Sequence, residues 1–107
     1  MAELLSTEWI EQVEPLLAAI GERVQVVVTG GPHGDVHLGP ADEPDLVLTT
    51  TADVAREMID GILDVNVAYM QGRLKTAGDT GVLLRILPKT RTPEFTRCRQ
   101  QLQSLTD

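Results

Sequence analysis

The chain has 107 residues, 42% of them hydrophobic and 23% charged. That suits a single soluble domain spanning 1–107, with enough chain for one core and not for two. Nine basic against sixteen acidic residues leave a formal net charge of −7. This argues against a nucleic-acid partner, which needs a basic face, and against electrostatic docking on anionic lipid. The single cysteine, Cys98, excludes an internal disulfide. No apolar run approaches the ~18 residues of a membrane span, so no stable membrane insertion is expected. The N-terminus MAELLSTEW lacks the basic start and apolar core of a secretory signal, so the expected location is cytoplasmic.

The first predicted element is a helix over Thr7 to Ile20, with Ser6 or Thr7 as its cap. Trp9, Ile10, Val13, Leu16, Leu17 and Ile20 recur as one apolar stripe. Pro15 either kinks this helix or begins a second one capped by Glu14. Arg23 to Thr29 (RVQVVVT) reads as a strand with Val24, Val26 and Val28 on one face. Gly30 to Gly34 reads as a turn, Asp35 to Leu38 as a short strand and Asp45 to Thr50 as a third. The connections are too short for crossovers, which predicts an antiparallel meander. Thr50 or Thr51 caps a helix to about Ile62, with Val54, Met58 and Ile62 along one edge of its buried face and Ala55 and Ile59 along the other.

Next comes Asp64 to Leu87, DVNVAYMQGRLKTAGDTGVLLRIL. Asp64 is suited to cap a short helix and Gly72 to close it in the left-handed conformation. Arg73 to Ala77 alternates as a half-exposed strand. Asp79 caps another helix carrying Val82, Leu83, Ile86 and Leu87, with Pro88 as its expected stop. Thr92-Pro93-Glu94 is a helix start, and Phe95, Cys98, Leu102 and Leu105 form the following apolar stripe, with Arg97 and Arg99 expected on the wet side. The fold class is therefore α+β, a small mostly antiparallel sheet of about four strands covered on one face by helices.

Asn66 to Lys75 (NVAYMQGRLK), followed by Gly78-Asp79, resembles the signature of the sterol carrier protein 2 family. The family pattern runs Asp-Pro-x-x-Ala-Phe-x-Gln-Gly-Lys/Arg-Leu-Lys-Val-x-Gly-Asp/Asn. The resemblance implies a sheet roofed by helices with an apolar tunnel between the layers, and a role in binding sterols, fatty acids or acyl-CoA. The family usually has five strands, and one is missing between Gly21 and Asp45. That leaves an exposed edge and points to a homodimer, by edge pairing or by apolar faces. Val65 replaces the usual proline, and Thr76 and Thr80 replace apolar positions.

Catalytic chemistry finds little support. His33, Asp35 and His37 would share a face if strand geometry began at His33, offering two imidazoles and a carboxylate to a metal. Pro32-His33-Gly34 is turn-like, however, so both histidines are expected in solvent and no metal is assigned. Cys98 lies on an apolar stripe, where a thiol acts as a small core hydrophobe. Gly30-Gly31-x-x-Gly34 precedes no helix and is a poor phosphate loop. No catalytic residue and no cofactor is expected. The apolar residues Met58, Ile62, Met70, Leu74, Leu83, Leu87, Phe95 and Leu102 are the candidate lining for a hydrophobic small-molecule ligand, with Met as adaptable lining. The alternatives are a ligand-free interaction module with the same fold, or a small enzyme that shapes a hydrophobic intermediate for cyclisation or isomerisation.

Overall fold

The computed structural model describes residues 3–18, 21–31, 34–40 and 42–106. In chain order the elements are α1 (Thr7–Ala18), β1 (Val24–Gly31), β2 (Gly34–Leu38), β3 (Leu46–Thr51), α2 (Ala52–Ile59), α3 (Val65–Met70), β4 (Lys75–Gly78), α4 (Thr80–Lys89) and α5 (Pro93–Leu105). The four strands form one sheet in the order β2-β1-β3-β4. It is α+β, with every helix that packs on the sheet lying on one face.

The face is set by strand alternation. Val24, Val26 and Val28 of β1 point to the helices, and so do their neighbours in register: Leu38 and Val36 on β2, Leu46, Leu48 and Thr50 on β3. Asp35 and His37 alternate to the open face and are exposed.

The meander is corrected. β1 pairs antiparallel with β2, but parallel with β3, Val24 opposite Leu46 and Thr29 opposite Thr51. β3 then pairs antiparallel with β4. A short connection suffices because β2 ends, and β3 begins, at the same end of β1. The chain only has to cross the start of β1, not run its length. Backbone contacts hold that crossing: Asp45 N–H donates to the Arg23 carbonyl at 2.8 Å, and the Arg23 guanidinium donates to the Asp42 carbonyl. Gly39 makes the approach possible. Its φ is +91°, and a Cβ there would lie 2.5 Å from the Val24 carbonyl oxygen.

Several boundaries also move. Gly30 and Gly31 belong to β1, which carries a bulge between Val28 and Gly31 instead of ending in a turn at Gly30. Ser6 is the cap of α1, its hydroxyl accepting from the Trp9 N–H at 3.2 Å, and α1 runs through Pro15 as one helix. Thr51 caps α2, which ends at Ile59, not Ile62, because Asp60 closes it and Gly61 turns left-handed at φ +78°. β4 begins at Lys75 rather than Arg73. The Arg73 and Leu74 N–H groups are committed to the Ala68 carbonyl, at 2.9 and 3.3 Å, as part of the turn that Gly72 makes after α3. Pro88 sits in the last turn of α4 and does not stop it; Thr90 is the cap. Ile20 and His33 lie outside the described residues.

The ends of the chain are tied together. Trp9, 2% exposed, sits in the core with Leu5 and Val13 beneath α5, whose Leu102 packs against the same cluster. Arg99 is not on a wet face. Its guanidinium donates to the Ile59 carbonyl at 2.8 Å, bonding an otherwise unsatisfied end of α2 to α5.

Candidate hydrophobic ligand site

The core is not one mass. One cluster joins Leu5, Trp9, Val13, Val28, Val36, Leu38, Ala55 and Ile59, from α1 and the turn before it, α2, β1 and β2. A second joins Val24, Leu46, Val82, Leu83 and Ile86, where α4 covers β1 and β3. Val26 packs against both. It is the middle residue of the covered face of β1, yet it is only half-buried, while Val24 and Val28 on either side of it are 6% and 2% exposed. Leu48, its partner on β3, is half-buried too, and so is Thr76, the partner of Leu48 on β4. The row across the sheet, Leu38–Val26–Leu48–Thr76, is thus buried at Leu38 and only half-buried over its other three residues. It offers an aliphatic floor with one hydroxyl.

Local chemistry holds the walls of this seam. Asp79 accepts from the Gly81 N–H at 2.8 Å and starts α4, whose Leu83 turns inward and whose Leu87 packs half-buried on the second cluster. Arg85 bonds Glu22 at 2.9 Å and clasps α4 to the segment before β1. That hydrogen bond and the guanidinium charge hold the Glu22 carboxyl below its usual range, and the same bond with the carboxylate charge pushes Arg85 up. Asp64 caps α3 by accepting from the Asn66 and Val67 N–H groups at 2.8 and 3.2 Å, with the Arg91 guanidinium 3.5 Å away. Partial burial opposes the charge on Asp64, but these partners outweigh it and hold the carboxyl below its usual value. Asn66 joins the two helices. Its amide donates to the Thr90 hydroxyl at 2.9 Å and to the Leu87 carbonyl at 3.4 Å. The Thr50 hydroxyl donates to the Arg73 carbonyl at 3.0 Å, fixing the turn before β4 against β3.

The eight candidate lining residues do not form one wall. Leu83 and Leu87 stand together on α4 beside the seam. Leu74 is buried at 4% exposure. Leu102 belongs with the first cluster. Met58 and Phe95 are half-buried outside both clusters. Ile62 and Met70 are 74% and 72% exposed. The reason is geometric. α3 turns Ala68, fully buried, toward the interior, so Met70, two residues on at about 100° each, faces the other way. Ile62 follows the break at Gly61 and loses helical phase with Met58. Val26 and Leu48 carried no sequence signal that set them apart, since a half-open valine and a packed one have the same alternation.

Catalytic and metal readings gain nothing. His33 is outside the described residues, and Asp35 and His37 are exposed on β2. Among the described residues no three or more His, Cys, Asp and Glu gather as a metal site would require. Cys98 is a free, half-buried thiol on α5. An open groove of about 610 Å³ runs between α1 and α5, lined by Gln12, Leu16, Arg97, Gln100, Gln101, Ser104 and Leu105. None of the seam residues lines it, although its wall is mostly apolar. Among the described residues no helix is long and apolar enough to cross a membrane.

Comparison with known proteins agrees with this architecture. The model of the SCP-2 sterol transfer family matches residues 9–87. Among solved structures, palmitated SCP2L2 from Aedes aegypti aligns with a TM-score of 0.58 at 20% identity, over 82% of this chain and 96% of that one. A crystal structure of sterol carrier protein 2 like 2 from the same mosquito gives 0.57 at 16% identity, over 76% and 95%. The sterol carrier protein domain 2 of Helicoverpa armigera gives 0.55 at 18% identity, over 91% and 87%. None of the curated proteins matches the chain.

Proposed function

This chain belongs to the SCP-2 sterol transfer family, and from that premise we propose that it binds a fatty acyl chain or a sterol in the seam over Val26, Leu48 and Thr76. The coarser statement, a hydrophobic small molecule held in a cleft, comes with the family and the fold. One observation supports this particular placement: Val26, the middle residue on the helix-covered face of the interior strand β1, is only half-buried. A close-packed core closes such a position first. A ligand burying about 300 Å² of apolar surface there would gain roughly 7 kcal/mol before the costs of ordering, compatible with micromolar binding and no strong polar contact. Leu83 and Leu87 supply the α4 wall, and the Thr76 hydroxyl is the polar group nearest the floor in register. A palmitate-class acyl chain is the first probe, because the Aedes aegypti relative is described as palmitated. Nothing in the reading requires bond making; the protein shelters the ligand from water.

The test is a paired measurement on Val26→Phe. The ring takes up the open space of the seam. Saturable uptake of a fluorescent fatty acid or sterol by the wild type, falling at least about tenfold in the variant while the melting temperature holds, supports the site. Overpacking of a filled core would instead cost about 1–3 kcal/mol. That loss with unchanged uptake, or a wild type that takes up neither probe, rejects it.

A further inference from the structure

The sheet has two edges, β2 and β4, and they differ in their defence against pairing. β4 is four residues long and places Lys75 on its open face, a common guard on an edge strand. β2 contains no lysine and no proline over Gly34–Leu38 and packs on β1 as its main partner. Its outer backbone groups face away from the sheet.

The residues of β2 are also complementary to themselves. Val36 points to the helix-covered face and is 7% exposed. Asp35 and His37 flank it on the open face, one on each side, and both are exposed. Consider a second β2 laid antiparallel against the first with Val36 opposite Val36. Residues directly opposite share a face, so Asp35 stands opposite His37 of the other copy, twice by symmetry. An imidazole N–H donates to a carboxylate whether the ring is neutral or charged. On the covered face the two Val36 side chains meet, and each Leu38 faces a Gly34, which leaves room for it. A two-fold axis through Val36, normal to the sheet, keeps both helical layers on the same side.

We propose that β2 is a self-pairing edge through which two copies of this chain form an isologous dimer with one continuous sheet, registered by the reciprocal Asp35–His37 contacts about Val36. Five residues on each side make a small contact, and a net charge of −7 on each copy works against association. The dimer is therefore weak and concentration-dependent.

Sedimentation of the 107-residue chain and three variants tests it. The wild type is expected to show a monomer–dimer equilibrium. His37→Asp sets carboxylate against carboxylate and should weaken the dimer about tenfold. Asp35→His sets imidazole against imidazole and should weaken it as well. The double exchange Asp35→His with His37→Asp restores complementarity in reversed order and should recover the dimer. Exposed side chains are changed in each case, so melting temperatures should hold. Amide exchange in the wild type gives a readout without substitution: protection of β2 amides should rise with protein concentration. A wild type that stays monomeric, a dimer indifferent to His37→Asp, a double exchange that fails to recover it, or β2 protection independent of concentration overturns the proposal.

Discussion

The indole N–H of Trp9 donates a 2.7 Å hydrogen bond to the hydroxyl of Thr106, across 97 residues of sequence. That hydroxyl in turn donates to the Leu102 carbonyl at 2.7 Å. The chain closes on itself here: the first helix is pinned to the end of the last by a buried polar pair. Both residues are buried, at 2% and 6% exposure, so neither group has water as a substitute partner.

Thr106→Val keeps the shape and removes the acceptor. The indole N–H is left buried and unpaired, which costs about 1–3 kcal/mol. Thermal unfolding should show a drop of several degrees, whereas Thr106→Ser should lose much less. An unchanged melting temperature in the valine variant would show that α5 is not held by this bond.

Asp64 predicts a pH dependence. Its carboxyl sits below the usual value in the folded protein because two backbone N–H groups and Arg91 favour the charged form. A lowered folded value means that the stabilisation is fully present above the unfolded value of about 3.9 and is lost as pH falls through the folded one. Asp64→Ala should therefore cost about 1 kcal/mol near neutral pH, the ordinary value of a helix cap. The Arg91 contact adds little, since both side chains are largely exposed. Denaturant titrations of wild type and variant should converge at strongly acid pH; curves that stay parallel would remove the assigned role of the charge.

Gly39 and Gly72 separate two reasons for glycine. Both have positive φ, +91° and +74°. A Cβ at Gly72 meets nothing within 4 Å, so Gly72→Ala should cost only the left-handed backbone penalty, about 1–2 kcal/mol. A Cβ at Gly39 collides with the Val24 backbone at the crossing between β2 and β3. Gly39→Ala should cost clearly more, by urea unfolding, and equal losses at the two positions would argue against that crossing.

Met70 is exposed and packs in neither cluster. Met70→Lys should therefore leave stability within about ±0.5 kcal/mol. Leu83→Ala, on the same measurement, should lose about 2–5 kcal/mol, because Leu83 is 4% exposed on the inward face of α4. A large loss at Met70 would mean that α3 is turned inward.

Features that depend on neighbours within a few residues were legible in the chain itself. The caps at Asp64, Asp79 and Thr92 and the left-handed turn at Gly72 were legible because their bonds go to backbone groups a few positions away, and the alternation of Val24, Val26 and Val28 because a strand's period of two is written in the chain. The family signature from Asn66 to Asp79 was legible for the same reason; its residues build one local turn-and-cap unit, with the Asn66 amide reaching α4. What crosses long stretches of chain was decided only by the tertiary structure. The parallel pairing of β1 with β3 needs the knowledge that β2 ends at the start of β1, and a connection of that length serves a hairpin equally well. Met70 and Ile62 shared an apolar character with Leu83, and only the phase set by Ala68 and the break at Gly61 turned them outward. The half-burial of Val26, Leu48 and Thr76 depends on how helices from distant segments cover that row. That is a matter of packing volumes between distant segments, and hydrophobic alternation is the same whether the space above a valine is filled or free.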